Sequence, residues 1–428
     1  MKQTATVVIG SAWGDEGKGL FTDFLVHSAP KNERIVIRFN GGAQAGHTVV
    51  TPDGRRHVFS HFGSGAFTGA PTFLTEDFIL NPILFMKEKN RLLQLGIEDK
   101  DLIVYVDPRA VISTPYDMLI NQIAERHRGN TRHGSVGIGI GETVERSIFP
   151  QLRIVHGEMN IKTTNDTFQK LKRIRTEWVQ QRLQILGIDG PNEKTQALFN
   201  QIQNDEIIER WMEDYHDYHA STIGMEVALV LKTRSKINGS VIFEGAQGLL
   251  LDQNHAYFPY VTRSNTGLTN VVKIAQEIGI EHLDVYYLHR AYATRHGAGP
   301  FPHESDEKPY QNIFDNTNKK AEFQGSLRFG LPDLDLIAST ISDDFLKNSS
   351  ISLTPHLGIT CFDQIDERVS YYHNNEKNMA SHEGFIHTLE KLFKDKSHKN
   401  LGDTFVSYGP TRNDIKTSAD IYQKALHD

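Results

Sequence analysis

Residues 4–19 read TATVVIGSAWGDEGKG, and this stretch decides the fold. The β-branched run 4–9 predicts a buried parallel strand. Gly10 to Gly19 form a glycine-rich turn, and residues 20–28 carry helix-like spacing. The next apolar run, 35–39, predicts a second strand. Strand, turn, helix and strand make a βαβ unit, whose turn lies at the carboxyl end of the first strand, where α/β sheets bind ligands. The expected fold class is α/β, with a central mostly parallel sheet, flanking helices and a P-loop-like nucleotide site.

Within the turn, glycines allow several N–H groups to aim at a phosphate, and the following helix adds its positive end. Lys18 adds a point charge. The motif is not a Walker A loop: Ala12 and Gly19 stand where that motif needs Gly and a hydroxyl residue. Asp15 is the replacement within the loop for the hydroxyl that holds Mg²⁺. A second segment, NGGAQAGHT at Asn40 to Thr48, combines glycines with His47, an imidazole able to donate or accept a proton. Following the second strand, His47 is expected at the same sheet edge as Asp15.

Farther out, residues 166–211 predict a mostly helical excursion with a turn near 187–191. Residues 225–236 predict a helix, Asn238-Gly239 a turn, and 240–243 and 283–288 strands. Residues 295–302 read as a loop, and the polar stretch 374–400 as peripheral helix and loop. With no repeat or low-complexity linker, residues 1–428 read as a single elaborated α/β domain. Composition agrees: 38 % hydrophobic and 23 % charged residues suit a globular enzyme with a sizeable core. The formal charge of −7 forms no dominant basic face, which argues against polymeric nucleic acid as a partner. Cys361 is the only cysteine, so no intramolecular disulfide can form. The start lacks a signal peptide's pattern and no apolar stretch reaches membrane-spanning length, so a cytoplasmic location and no membrane partner are expected.

WGDEGKG and AGHT together resemble the adenylosuccinate synthetase family. The resemblance continues, in the family's order, through FEGAQG (243–248), YFPYVTRSNT (257–266), ATRHGAGPFP (293–302) and SYGPTR (407–412). It implies a ligase that phosphorylates the 6-oxygen of IMP with GTP and displaces it with L-aspartate, using Mg²⁺. By the same resemblance Asp15 removes the N1 proton and binds the metal, together with the carbonyl of Gly46. His47 acts at the 6-oxygen, Lys18 on the phosphates, and Gln247 supports the purine. Gly14, Glu16, Gly17, Gly19, Thr48, Arg328, Asp363, Ser407 and Gly409 complete the implied nucleotide-binding set. Gln44, Ser135, Val136, Thr262, Gly325 and Ser326 complete the substrate-binding set. The family's homodimer is implied too, with one subunit lending an arginine; an ungapped alignment puts Pro150 there, with Arg146 and Arg153 nearby.

Departures from the family pattern keep alternatives open. Ala12 and Leu20 stand where Gln and Lys are usual, and Gln44 replaces Asn. In HGSVGIGIG (133–141), Val136 and Ile138 replace a hydroxyl residue and an arginine. The loop EFQGSLRFG (322–330) lacks the run of arginines that grips aspartate, keeping only Arg328, although Arg290 or Arg295 could contribute. A different amino donor stays open. Cys361 in TCFD cannot stack as the usual Lys does, so ATP competes with GTP. HGSVGIG and SYGPTRND resemble a phage branch that acts on dGMP, often with ATP, whereas the retained Asp15 favours IMP or a related 6-oxopurine nucleotide. A catalytically weakened nucleotide-binding paralogue is the third reading.

Overall fold

The computed structural model describes residues 3–31, 33–158, 164–232, 240–315, 317–318 and 320–425. The opening βαβ unit forms as expected: β1 (Thr4–Gly10), the helix Lys18–Ser28, then β2 (Ile35–Arg38). A hairpin of β3 (His47–Val50) and β4 (Arg56–Phe59) follows, then β5 (Thr72–Leu74), β6 (Val104–Val106) and the short β7 (Ile223–Gly224). Next come β8 (Val241–Gly248) and β9 (His282–Arg290). A small sheet is built from β10 (Ala293–Arg295), β11 (Glu304–Ser305) and β12 (Arg328–Gly330). The chain continues through β13 (Ser352–Thr360), the hairpin β14 (Arg368–His373) and β15 (Glu376–Ser381), β16 (Thr404–Ser407) and β17 (Ile415–Thr417).

Ten of these strands make the main sheet, ordered β17-β16-β13-β9-β1-β8-β2-β5-β6-β7. Every neighbouring pair is parallel except β16 with β17. β1 shows why this strand needs covering on both faces. Ala5, Val7 and Ile9 join the large core on one side, while Val8 packs with Phe21 and Val26 of the first helix on the other. Full burial of alternate residues on both faces is the pattern of a parallel strand flanked by helices. Beyond β6 a second core gathers the helical excursion, with Trp178, Trp211, Tyr215 and Tyr218 buried in it.

The excursion is helical over Thr164–Arg173, makes a π-helical turn over Ile174–Trp178, and resumes over Val179–Ile185, Gln196–Gln203 and Glu206–Ala220. The expected helix 225–236 is described over Val227–Lys232; Lys236 and the Asn238-Gly239 turn lie outside the described residues. The strand expected at 240–243 runs on to Gly248. One expectation is corrected. Residues 374–400 are not peripheral: Glu376–Ser381 pairs with β14, and the helix His382–Ser397 buries Phe385, Ile386, Leu389 and Phe393 in the large core. Its polar composition concealed a stripe at helical spacing. Among the described residues, no helix is long and apolar enough to cross a membrane.

Candidate functional site

Because β1, β2 and β8 are adjacent and parallel, their carboxyl ends open on one edge of the sheet, and each delivers part of the site. The register of β1 against β8 slips between Val8, opposite Glu244, and Gly10, opposite Gly248. The intervening Gly245–Gln247 therefore leave the ladder, as in a bulge that re-aims side chains. Asn40 holds this segment: its amide accepts from the Ala246 N–H (2.7 Å) and donates to the Ala246 carbonyl (3.1 Å). Gln247 is left with φ +65°. Asp15 (φ +56°) and Cys361 (φ +66°) share that left-handed conformation. Such positions cost of order 1–3 kcal/mol each and cluster at ligand sites.

The loop packs too closely for side chains at Gly10 and Gly17. A Cβ on Gly10 would lie 2.2 Å from Glu16 Oε2, and one on Gly17 (φ +86°) 2.7 Å from Thr360 Cγ2. Glu16 turns inward. Its carboxylate accepts the N–H groups of Ala12 (2.7 Å) and Gly14 (3.1 Å), so it braces the loop. Lys18 opens the first helix and is buried; burial pulls its pKa down against the raising pull of Glu16 and Asp15. Gly17 caps this helix without any side-chain acceptor, leaving first-turn N–H groups to face the cavity that Gly17, Lys18 and Gly19 line.

His47 does not follow β2 directly; it begins the β3 strand of the separate hairpin. Its Nδ1 lies 2.7 Å from Oε1 of Glu244, the last β8 residue in register. Glu244 also accepts from the Ser64 N–H (3.0 Å) and hydroxyl. Burial pushes the His47 imidazole down to about 4, opposed by Glu244, while His47 and Arg38 hold the Glu244 carboxyl at about 2 against its own burial. The pair at pH 7 is thus a carboxylate accepting from a neutral ring. Nε2, the opposite nitrogen, is buried with no hydrogen-bond partner among the described residues.

Two cavities flank the Asp15–His296 pair, one lined by Asp15 and the other by His296. One, of about 460 Å³, is lined by Asp15, Gly17, Lys18, Gly46, His47, Thr48, Asp363, Ser407 and Gly409. The other, of about 310 Å³, is lined by Gln44, Ser135, Val136, Gln247, Thr262, Arg295 and His296. Both volumes suit a small molecule (~300–1,000 Å³). His296 Nε2 lies 2.8 Å from Asp15 Oδ2, so this pair stands between the cavities. Although burial raises the Asp15 carboxyl, the hydrogen bond and charge of His296, with Arg290 and Lys18, bring it down to about 2.

In the second cavity both polar atoms of the Gln44 amide are buried without a partner among the described residues. Ser135 bonds Asn121 at 3.1 Å, fixing the 133–139 loop to the Pro115–Arg128 helix. Val136 is exposed, and the Thr262 N–H donates to Leu251. Arg328 is occupied elsewhere, on Glu304 and the carbonyls of Gly297 (3.1 Å) and Gly299 (2.9 Å). Gln324 lines the cavity; Gly325 instead makes a tight turn with Ala321, and Ser326 follows it outside the lining. Of the arginines near Pro150, Arg146 is fully buried against Asp117 and cannot reach another subunit, while Arg153 is exposed.

Sequence reasoning passed over Glu244 and His296. A carboxylate inside the otherwise apolar run VIFEG was a usable signal, since a buried charge needs a partner. Nothing local marked His296.

Residues 7–397 match a model of the adenylosuccinate synthetase family. Adenylosuccinate synthetase of Clostridium botulinum (strain Loch Maree / Type A3) is 31 % identical over 309 residues, which cover 70 % of this chain and 66 % of the relative. That of Xylella fastidiosa (strain M12) is 30 % identical over 314 residues, covering 73 % and 67 %. The chain thus spans just under two thirds of the Clostridium relative's length. Among solved structures, fully ligated adenylosuccinate synthetase from Plasmodium falciparum superposes with a TM-score of 0.67 at 19 % identity, covering 97 % of this chain and 99 % of that one. Cyanophage S-2L succinoaminodeoxyadenylate synthetase, bound to dGMP and dATP, gives 0.62 at 14 % identity, covering 99 % and 98 %. These two likenesses bear on the fold.

Proposed function

Because this chain belongs to the adenylosuccinate synthetase family, we propose that it joins IMP and L-aspartate into adenylosuccinate, converting GTP to GDP and phosphate. The observation that carries this reading is the pairing of Asp15, which lines the cavity read as the triphosphate site, with His296, which lines the cavity read as the purine site, at 2.8 Å. Asp15 takes the proton from purine N1, which makes the 6-oxygen a better nucleophile. That oxygen forms a bond to the γ-phosphorus as the bond from γ-phosphorus to the β,γ-bridging oxygen breaks. Lys18 and the first-turn N–H groups bear the phosphate charge. His47 meets the 6-oxygen through Nε2; the ring is neutral at rest, and a proton taken up at Nε2 from solvent gives the donating imidazolium, whose charge Glu244 supports. The aspartate amine then attacks C6 and phosphate leaves.

Gln44, Gln247, Ser135 and Thr262 position the purine nucleotide, with Val136 beside them. Asp363, Ser407 and Gly409 lie at the base end of the triphosphate cavity, where the Asp363 carboxylate suits the N–H donors of guanine. Asp15 and Gly46 both line this cavity, and the Asp15 carboxylate with the Gly46 carbonyl would hold Mg²⁺, a hard cation that takes oxygen ligands. When bound there, the ion neutralises phosphate charge. The active form is a homodimer in this reading, located in the cytoplasm.

Purified protein with Mg²⁺ and aspartate, crossed with IMP, dIMP, GMP and dGMP and with GTP and ATP, tests it by mass spectrometry. A succinyl adduct from IMP is expected. An adduct only from dGMP or GMP would move the chain to the activity named for the cyanophage neighbour.

A further inference from the structure

Phe314 is exposed over 69 % of its surface, more than any other large apolar side chain among the described residues. It does not sit on a loose tip. Ile313 before it is 3 % exposed within the large core, and its carbonyl accepts from Lys308 Nζ at 3.1 Å. After it, the Asp315 carboxylate accepts the N–H groups of Thr317 (2.8 Å) and Asn318 (2.9 Å). Thr317 takes a hydrogen bond from Arg56 at 2.6 Å, and Asn318 Oδ1 lies 3.0 Å from His296 Nε2. With the chain pinned on both sides, the ring is presented on the wall of the triphosphate cavity, which it lines with Pro410, Asp363 and Gln364. Holding an aromatic face open to water forgoes the burial that stabilises such side chains. A planar apolar ligand would recover it.

The cavity needs such a surface. Its lining includes Gly17, Lys18 and Gly19, which suit phosphate, and polar groups such as Asp363, which suit a base, but Cys361, two residues before Asp363, is too short to lie along a base. We propose that Phe314 is the stacking face for the base of the nucleoside triphosphate. The proposal rests on the reading of this cavity as the triphosphate site. Every base offers a π-face, so Phe314 grips GTP and ATP alike, and discrimination falls to hydrogen-bonding groups such as Asp363.

Titration calorimetry with Mg²⁺ tests this, using GTP, ATP and inorganic tripolyphosphate as probes on wild type, Phe314→Ala and Phe314→Tyr. Phe314→Ala is expected to weaken both nucleotides about ten-fold or more and leave tripolyphosphate unchanged, while Phe314→Tyr keeps wild-type affinity. Unchanged nucleotide affinity in Phe314→Ala would overturn the proposal. An equal loss for tripolyphosphate would also overturn it, because Phe314 would then only brace the loop. If wild type binds neither nucleotide, the triphosphate reading of the cavity itself fails.

Discussion

Arg295 and Arg328 stand directly opposite each other as cross-strand partners in the small β10–β12 sheet. Like charges in register repel, and the protein neutralises only one of them. Arg328 is paired with Glu304, whereas Arg295 donates to the carbonyls of Tyr260 (2.8 Å) and Ala298 (3.0 Å) and leaves Nη1 buried without a partner among the described residues. Burial first and Arg328 second pull the Arg295 guanidinium down to about 10. A carboxylate arriving in the purine cavity, which Arg295 lines, would relieve both strains.

The amino donor is therefore expected to depend on Arg295. Arg295→Gln should raise the KM for L-aspartate about 10–100-fold while changing the KM for the purine nucleotide far less, as steady-state kinetics would show. Arg295→Lys should rescue little, since an ammonium cannot reproduce the planar fork. A rise confined to the purine nucleotide would instead place Arg295 on the phosphate of that substrate.

Glu244 should act on catalysis through His47. The change Glu244→Gln keeps the shape and removes the charge that supports the imidazolium. A fall in kcat of about 10–100-fold is expected, with the KM values for both nucleotides nearly unchanged. A matching loss of nucleotide affinity would show that Glu244 holds the hairpin rather than the proton donor.

These expectations show what the sequence could and could not disclose. Asp15, Lys18 and His47 were legible because glycine-rich turns after strands are local chemistry, carried by neighbouring residues. The partners that set their protonation were not, since Glu244 arrives from a strand distant in sequence and His296 from the loop after β10, and the pairing depends on the tertiary fold. Gly245–Gln247 leaving the ladder has no signature beyond its glycine. Phe314 was hidden for the same reason: in NIFDNTNKK nothing tells that Ile313 enters the core and its neighbour faces a cavity.

The wall of the purine cavity rests on one fully buried ion pair. Asp117 caps the Pro115–Arg128 helix through Thr114 and accepts from Arg146 Nε at 2.9 Å and Thr143 Oγ1 at 3.2 Å, tying that helix to Ile140–Ser147. Removing one partner leaves an uncompensated buried charge. Asp117→Ala and Arg146→Met should each cost about 3–5 kcal/mol in urea unfolding. The double variant should cost less than the sum of the two, because neither charge is then left alone.

A separate dependence on acid should come from His156. Its ring is 2 % exposed, with Nδ1 3.0 Å from the Tyr218 hydroxyl and the His219 ring 5.7 Å away. Burial, with a smaller push from His219 and opposed by Asp107, lowers the imidazole from 6.5 to about 4. Below pH 6.5 the unfolded chain takes up a proton that the folded protein refuses until about pH 4. Stability from this group is therefore complete above pH 6.5 and lost as the pH falls toward 4, amounting to about 2 kcal/mol by pH 5. Urea unfolding of wild type and His156→Gln at pH 7.5 and pH 5 measures it directly. The variant is expected to be the less stable at pH 7.5, having lost a packed ring, and the gap should narrow by about 2 kcal/mol at pH 5. A gap that stays constant would mean that His156 is protonated in the folded protein, with Asp107 outweighing burial.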